Sequence, residues 1–307
     1  MNKLQCISII GGGTQGSMLA FRSLAYGKVV LLYSRSESTR KTAKTKIFTW
    51  LKEWENGGKL EKGFTEAAMQ RLHIEETIES AVKAAEIVLE NVSEDLALKQ
   101  EIWSKIDKHA PPNALLTTNS SSLKSSEVGA FVARKDKTFN LNFMTPTKDD
   151  MVEVMWNAHT SEETKEKALQ FLQEQGQVPI ITQKEIQGFS LNRVWRAIKK
   201  ESLKLWAEGY TTPEDLDRAW MLEWGTPYGP FGLMDKVGLD IVEQIEHSYF
   251  RETQREDDLP PQALHAMVLE GRLGEKSGRG FYTHPNPAYE NPDWLRGKRD
   301  CVSEEDS

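Results

Sequence analysis

Short apolar runs alternate with helical stretches through the first part of the chain. Cys6–Ile10 is a strand-like run, a helical stretch follows at Ser17–Tyr26, and Val29–Tyr33 is a second strand-like run. Such a short strand–helix–strand unit predicts a parallel pair with a right-handed crossover. Further strand-like runs follow at Leu72–Ile74, Ile87–Asn91, Ala114–Thr118, Phe139–Phe143, Val152–Trp156 and Val178–Thr182. This alternation predicts an α/β fold with an N-terminal, Rossmann-type doubly wound sheet over residues 1–185.

Two segments depart from that alternation. Residues 36–72 are long, charged and helical in pattern, with a break at Asn56-Gly57-Gly58, which indicates an inserted helical hairpin. After Gly188 the pattern becomes helical only, which predicts an all-α C-terminal domain over 186–284. Thr212 and Pro213 are typical of a helix start there. Residues 285–307, rich in proline and charge, are expected to be a tail that wraps around the protein or is disordered.

The helical domain begins with a long amphipathic stretch, Phe189–Glu208, and two more helices are expected at Leu239–Phe250 and Pro261–Leu273. The first of them spreads its apolar residues over more than one face, which favours burial against a second subunit as well as against the core. Four tryptophans in this domain are expected in core or dimer packing: Trp195, Trp206, Trp220 and Trp224. For Trp224 a place beside the substrate is the alternative.

Composition narrows the classes of function. The chain has 307 residues and a formal net charge of −7, so it lacks the basic footprint that nucleic-acid binding requires. Cys6 and Cys301 are its two cysteines, a pattern that fits a reducing cytoplasm, and no Cys/His cluster has zinc-ligand spacing. No apolar run reaches the roughly 20 residues that span a bilayer, and we expect no signal peptide and no membrane partner.

A glycine motif follows the first strand and opens the first helix. Gly11 permits a tight turn, Gly13 lets the backbone approach a pyrophosphate, and Gly16 lets helix and strand pack closely. The helix N-terminus, with Thr14 and Gln15, stabilises an anion. The motif predicts a nicotinamide dinucleotide site; a glycine turn without a ligand is the alternative.

The end of the second strand predicts which dinucleotide is bound. NAD-binding proteins place an acid there for the ribose 2′-hydroxyl, but this chain has Ser34 followed by Arg35, and Arg40 lies nearby. A guanidinium suits a 2′-phosphate, so we expect NADP in preference to NAD. A solvated basic turn is the alternative.

Five segments in order resemble the L-3-hydroxyacyl-CoA dehydrogenase family. ENVSEDLALK, which runs from Glu90 to Lys99, is similar to the family's EAxxExLxxK, and TNSSSL from Thr118 is similar to TNTSSL. GFSLNR from Gly188 matches GFxxNR, and Gly229-Pro-Phe resembles GP[FL]E without its acid. GRLGEKSGRGFY, residues 271–282, is close to the C-terminal signature.

The resemblance implies roles for matching positions. Glu94, Lys99 and Asn119 would contact the cofactor, Ser121 and Asn192 would hydrogen-bond the substrate, and Glu153 would orient the catalytic base. The second domain would close the substrate cleft and form a homodimer. From the residues alone, helix capping remains an alternative for Glu94 and Asp95, and a structural hydrogen bond for Asn192.

The chain departs from the family at the base itself. Where the family has His, this chain has Asn142, and Thr145 replaces a cofactor-side Asn. An amide cannot take a proton at neutral pH, although it can donate a hydrogen bond to a carbonyl. The histidines do not match the motif and are all expected at the surface: His73, His109, His159, His247, His265 and His284.

Two interpretations of the function follow. The first is an NAD(P)-dependent oxidoreductase that acts on the 3-hydroxy/3-oxo carbon of an acyl-CoA or a free 3-hydroxy acid. Lysines of the inserted hairpin are candidate partners for CoA phosphates: Lys41, Lys44, Lys46 and Lys52. The alternative is a catalytically impaired dinucleotide-binding or regulatory protein, and Asn142 is the feature that motivates it.

Overall fold

The structure, a computed structural model, describes residues 5–144 and 150–297. Its contacts divide the chain into a unit that ends at Ser190 and a unit that begins at Leu191. Thr145 and Cys301, both named above, lie outside the described residues. In the two described stretches, no helix is long and apolar enough to cross a bilayer, and no three His, Cys, Asp or Glu side chains are grouped to hold a metal ion.

An eight-stranded sheet forms the centre of the first unit. Its strands are β1 (Cys6–Ile10), β2 (Val29–Tyr33), β3 (Leu72–Glu75), β4 (Ile87–Glu90), β5 (Leu115–Thr118), β6 (Thr138–Phe143), β7 (Met151–Trp156) and β8 (Val178–Thr182). They lie in the order β3-β2-β1-β4-β5-β6-β7-β8. The pairs from β3 to β6 are parallel, which is the Rossmann order. The predicted doubly wound sheet is therefore confirmed.

The last three strands break the parallel rule in a way the pattern did not predict. β7 runs antiparallel to β6, and β8 is parallel to β7. Only seven residues separate Phe143 from Met151, too few for the crossover that a parallel neighbour needs. The antiparallel pairing brings Asn142 opposite Glu153.

In the part of the first unit that the structure describes, seven α-helices accompany the sheet. They are α1 (Thr14–Ala25), α2 (Glu37–Asn56), α3 (Phe64–Met69), α4 (Ile78–Val82), α5 (Leu96–His109), α6 (Ser125–Val128) and α7 (Glu162–Glu174). α2 and α3 form the predicted insertion, and α2 ends at Asn56 as the glycine break indicated. α4 and α6 have at most five residues, too short to show a helical period, and they were not predicted.

The inserted hairpin is part of the core of the first unit. Phe21 of α1 lies between two tryptophans of α2, with ring centroids 6.0 Å from Trp50 and 4.8 Å from Trp54. Edge-to-face pairs of this kind add about 0.5–1.5 kcal/mol each beyond the burial of their area. The insertion is therefore held in a fixed orientation beside the helix that follows the glycine motif.

β8 is the outer strand of the sheet in the described part of the chain. Its side chains Val178, Ile180 and Ile181 are 56%, 39% and 38% exposed. Val178 N donates to Asp150 O at 2.7 Å, so the backbone N–H groups of alternate residues of β8 point toward β7. The backbone of Pro179 points toward the open edge.

As far as residue 297, the second unit is built of helices joined by turns and two isolated β-bridges, which confirms the all-α prediction. Its helices are α8 (Phe189–Ala207, which starts at the end of the first unit), α9 (Pro213–Trp224), α10 (Pro230–Val237), α11 (Leu239–Thr253), α12 (Gln262–Leu269) and α13 (Pro292–Leu295). Thr212 caps α9, accepting from Asp215 N, with Pro213 at its first position as expected. α12 ends four residues before the predicted limit, and Gly271 follows with a φ of 73°.

Two buried aspartates organise this unit. Asp217 accepts hydrogen bonds from Phe231 N at 2.9 Å, Gly232 N at 2.8 Å and the Tyr282 hydroxyl at 3.0 Å. A Cβ on Gly229 would lie 2.5 Å from Asp217. The Gly229-Pro-Phe motif is thus the turn that lets a buried carboxylate cap α10.

Asp235 binds the backbone of the C-terminal signature. It accepts from Phe281 N and Tyr282 N, both at 2.9 Å, and a Cβ on Gly280 would collide with its carboxylate. His284 Nε2 lies 3.0 Å from Asp235, and the side chain is only 4% exposed. The prediction that His284 lies at the surface is wrong, because a buried carboxylate holds it inside.

The chain beyond His284 also folds onto this unit as far as the structure describes it. The ring of Tyr289 lies 4.9 Å from that of Tyr282, and the Arg218 guanidinium lies 4.5 Å from the ring of Trp294. Residues 285–297 therefore wrap around the helical unit.

Candidate active site

The glycine motif forms a cradle at the N-terminus of α1. Gly11 has a φ of 108°, and a Cβ there would lie 2.6 Å from Asn91 O; a Cβ on Gly16 would collide with Gly11 O. These two glycines are required by the fold itself. Gly13 differs, because a Cβ there would meet nothing within 4 Å. Space beside Gly13, at a helix N-terminus, fits the approach of a pyrophosphate.

The turn after β2 carries the basic residues expected to select the dinucleotide. Arg40 Nη1 donates to Ser34 O at 2.6 Å and to Arg35 O at 3.3 Å. Arg40 therefore fixes the backbone of the turn, while the side chain of Arg35 is exposed and free of that task. A nearby depression of about 370 Å³ is lined by Glu37, Arg40, Lys41, Lys44, Ile74 and Glu76.

A buried ion pair lies under the carboxyl edge of the sheet. Lys99 Nζ donates to Glu90 at 2.8 and 3.1 Å, and it lies 3.3 Å from both Val92 O and Thr118 Oγ1. Both side chains are 0% exposed. The structure places Lys99 below the surface, where its contacts are with Glu90 and the ends of β4 and β5. Glu90 was missed as an organising residue, although a carboxylate at the end of an apolar strand requires a buried partner.

Glu94 connects this ion pair to the surface. Its carboxylate lies 3.6 Å from Lys99 Nζ and is 41% exposed. It accepts hydrogen bonds from the hydroxyls of Ser120 and Ser122. Burial alone would raise the pKa of Glu94, but the hydrogen bonds from the two serines and the charge of Lys99 together outweigh it and hold the pKa below its ordinary value. Asp95 caps α5 and accepts from Leu98 N, so the capping alternative is confirmed for Asp95 and is wrong for Glu94.

The segment after β5 is tied to the strands on both sides. Asn119 Nδ2 donates to Asn91 Oδ1 at 2.8 Å, and Asn119 Oδ1 accepts from Phe143 N at 3.2 Å. Ser120 is buried and accepts from Leu123 N, whereas Ser121 is exposed. The segment therefore holds Ser121 in place through its neighbours and leaves the Ser121 hydroxyl accessible.

Asn142 and Glu153 form a pair across β6 and β7. Asn142 Nδ2 donates to Glu153 Oε2 at 3.0 Å, with the two residues 6% and 0% exposed. Gln15 Nε2, in the first turn of α1, donates to Met144 O at 3.0 Å, which joins the glycine cradle to the end of β6. The first unit thus brings the glycine motif, Asn119–Ser122 and the Asn142–Glu153 pair to one edge of its sheet.

Asn192 belongs to the second unit. It is half-buried near the start of α8, and Arg196 of the next turn is bound by Glu246 at 3.0 Å and Asp258 at 2.7 Å. Trp206 packs inside this unit, 5.0 Å from Phe281. Trp224 is 65% exposed. An apolar pocket of about 220 Å³ is lined by Trp195, Trp220, Thr226, Pro227, Tyr228, Gly229, Pro230 and Leu233.

A Rossmann sheet with an open glycine cradle, followed by a helical unit, defines the class of nicotinamide-dependent oxidoreductases. Residues 6–186 match the family model described as 3-hydroxyacyl-CoA dehydrogenase, NAD binding domain, and residues 188–284 match the C-terminal domain of the same family. The chain belongs to the 3-hydroxyacyl-CoA dehydrogenase family, as the five sequence motifs implied.

Individual relatives agree with this assignment. The chain is 30% identical over 293 residues to the human mitochondrial hydroxyacyl-coenzyme A dehydrogenase, and the alignment covers 91% of this chain and 90% of that protein. It is 29% identical over 286 residues to a probable 3-hydroxybutyryl-CoA dehydrogenase of Bacillus subtilis, covering 92% and 98%. The solved (S)-3-hydroxybutyryl-CoA dehydrogenase of Ralstonia eutropha superposes with a TM-score of 0.83 at 26% identity, covering 92% and 100%. The chain is an oxidoreductase of the 3-hydroxyacyl-CoA dehydrogenase type, and these relatives give no support to a purely regulatory protein.

Proposed function

We propose that the protein transfers hydride between a nicotinamide and the 3-hydroxy/3-oxo carbon of an acyl-CoA, at the edge formed by Asn119–Ser122 and the Asn142–Glu153 pair. The observation that carries this proposal is the 3.0 Å contact between Asn142 and Glu153, the two residues that the family resemblance matches to its His–Glu pair. Ser121, which is exposed, and Asn192 are the proposed hydrogen-bond partners of the substrate.

The residues of the site hold and orient; none of them is proposed to move the proton. The nicotinamide, when bound, supplies or accepts the hydride. Two serines hydrogen-bond Glu94, and the buried Glu90–Lys99 ion pair lies beneath it. These contacts favour a fixed position for Glu94 where the cofactor would bind. Asn142 cannot exchange a proton with the substrate, so water or a group of the substrate itself must do so, and we expect slow turnover.

A CoA thioester is the first choice of substrate class because the names of the relatives reported above specify CoA. The inserted hairpin offers Lys44 and Lys46, both exposed, near its start. Lys41 and Lys52 are less suited, because Glu37 binds the first at 2.7 Å and Glu66 binds the second at 2.8 Å. A free 3-hydroxy acid is the second choice.

The test is a spectrophotometric screen of 3-oxoacyl-CoA thioesters and free 3-oxo acids with NADPH and with NADH. We expect oxidation of the nicotinamide with the thioesters, at a rate that Ser121→Ala lowers. Ser126→Ala, in the same chain segment and away from the site edge, is the matched control. Failure of every substrate with both cofactors would reject the proposed activity.

The cofactor is proposed to be NADP. No acid follows β2 at Ser34, and Arg40 fixes the turn so that the exposed Arg35 guanidinium is left for a 2′-phosphate. A charge-assisted hydrogen bond contributes about 1.5–3 kcal/mol, so NADPH should bind more than about tenfold tighter than NADH. Fluorescence titration measures both affinities. Arg35→Ala should abolish the difference, and tighter binding of NADH by the unmodified protein would contradict the assignment.

We further propose a homodimer formed through the helical unit, in a reducing compartment such as the cytoplasm. Leu191 and Val194 of α8 are 45% and 60% exposed, and they lie one turn apart on the same face. Single exposed apolar residues are ordinary, but a stripe on a long helix favours an interface. Light scattering at micromolar concentration should give twice the monomer mass of 34.9 kDa. A monomer would reject the dimer.

A further inference from the structure

The contact between Asn142 and Glu153 fixes the orientation of an amide. Glu153 is completely buried and faces Asn142 across the two antiparallel strands. Glu153 Oε2 accepts, so the amide turns its Nδ2, and not its Oδ1, toward Glu153. The 3.0 Å distance from Nδ2 to Glu153 Oε2 is that hydrogen bond. The reverse orientation would bring two acceptors together in a buried place, which is costly.

The position of the oxygen follows from the planar shape of the amide. With Nδ2 directed at β7, Oδ1 lies on the other branch, away from Glu153. On that side β6 adjoins β5, whose Thr118 pairs with Asn140, and the segment Asn119–Ser122 follows directly. The Met144 sulfur lies 3.9 Å from Nδ2, so the nitrogen is covered by a second neighbour. An Oδ1 on that side would present an acceptor to the site edge.

We propose that Asn142 makes this site select the hydroxyl form of its substrate over the oxo form. Asn142 Oδ1 accepts a hydrogen bond from a 3-hydroxyl group, but against a 3-oxo group it sets one acceptor beside another. A histidine at this position would serve both forms, because neutral imidazole accepts and imidazolium donates. This selection rests on the proposed function, and it reverses the donor role that the sequence led us to expect of the amide.

Dead-end complexes test the selection without turnover. 3-Hydroxybutyryl-CoA is titrated into the protein saturated with the reduced cofactor, and acetoacetyl-CoA into the protein saturated with the oxidised cofactor, by calorimetry. The Kd of acetoacetyl-CoA is divided by the Kd of 3-hydroxybutyryl-CoA, for the unmodified protein and for Asn142→Ala. Dividing the first ratio by the second gives a double ratio in which the contribution of the cofactor cancels. We expect the hydroxyl ligand to be favoured about tenfold in this double ratio, the size of one hydrogen bond gained against one repulsive contact.

Two further variants test the cause. Glu153→Gln can donate as well as accept, so the amide is free to turn and the double ratio should fall toward one. In Asn142→His the preference should change with pH near about 6.5, whereas in the unmodified protein it should be constant between about pH 6 and 8. A double ratio within about twofold of one, with both ligands bound, overturns the selection but leaves the proposed function standing. Binding of neither CoA ligand overturns the proposed substrate class and the selection with it.

Discussion

The two units use buried carboxylates in opposite ways. In the first unit, the Glu90–Lys99 pair supports Glu94, whose carboxylate is still 41% exposed at the site edge. In the second unit, Asp217 and Asp235 are taken up by backbone N–H groups of the chain itself. Both arrangements lie in motifs of the family. A family motif can thus form a ligand site or stabilise the fold. The partners of its buried polar atoms show which of these two roles the motif has.

The pKa values show the same contrast. Burial raises the pKa of Asp217 to about 6, although the N–H groups of Phe231 and Gly232 and the Tyr282 hydroxyl act to lower it. At Glu94 burial is outweighed by the serine hydrogen bonds together with the charge of Lys99, and the pKa lies below its ordinary value. The first carboxylate is enclosed by the fold, and the second is kept charged at the edge of the site.

The largest expected effect tests the fold motif. In Gly280→Ala the new Cβ collides with the Asp235 carboxylate, which holds Phe281, Tyr282 and His284. We expect a loss of about 4 kcal/mol or more in the free energy of unfolding, because a buried network must shift. Urea denaturation followed by tryptophan fluorescence measures it. A change below about 1 kcal/mol would mean that this motif is not structural.

The matching change in the first unit should affect only the ligand. Gly13→Ala meets nothing within 4 Å, and the φ of Gly13 is −67°, which alanine adopts without strain. The free energy of unfolding should change by less than about 0.5 kcal/mol, while the dinucleotide Kd should rise by about a hundredfold, since the methyl group occupies the approach to the pyrophosphate. Unaltered dinucleotide affinity in this variant would remove the cradle from the site.

The third prediction concerns the pH dependence of stability. The folded-state pKa of Asp217 lies about two units above its ordinary value of 3.8, so the folded protein binds this proton first. The contribution of Asp217 to stability therefore grows as the pH falls through 6 and is lost as the pH rises through it. Relative to Asp217→Asn, the unmodified protein should gain on the order of 2 kcal/mol between about pH 7 and pH 4.

Denaturation of both proteins across that range measures the difference. Lower pH values are avoided because the pKa of Asp258, bound by Lys200, Thr253 and Arg196, lies well below its ordinary value. The stability that Asp258 contributes is lost as the pH falls below about 4. If the free energy of unfolding of the unmodified protein falls relative to that of Asp217→Asn on acidification, burial does not raise the pKa of Asp217.

The smallest expected effect is a gain of rate. Asn142→His supplies the missing acid–base, for which the general contribution is about 10²–10⁴-fold, and kcat should rise at least tenfold with the cofactor Kd nearly unchanged. The faster variant should also acquire a pH dependence near about 6.5. Abolition of a native activity that is already fast would show that the amide is adapted to a different chemistry.

The sequence predicted the order of elements well because alternating apolar runs and helical periods are local signals. It did not predict that β7 reverses direction, since an apolar run has no direction. It identified Asn142 and Glu153 through the family resemblance, and strand register then brought them into contact. It placed His284 at the surface because nothing near that residue in the chain shows that Asp235, 49 positions earlier, encloses it.

In the site, the sequence did not show that Glu90 acts through Lys99 or that Ser120 acts through Glu94. Glu90 and Ser120 are both buried, and their partners lie in other elements. The glycine motif was interpreted correctly as a whole, yet only three-dimensional neighbours separate Gly11 and Gly16, which the fold requires, from Gly13, which has space around it.

The outer strand β8 has a consequence for how the protein behaves at high concentration. Three of its five side chains are apolar and more than a third exposed, a composition that invites another strand to pair with the open edge. Pro179 removes one of the two N–H groups that β8 turns outward, which leaves Ile181 alone as a donor. An incoming strand would form too few backbone hydrogen bonds with β8 to pair stably. The pyrrolidine ring of Pro179 therefore protects this edge against fibrous aggregation.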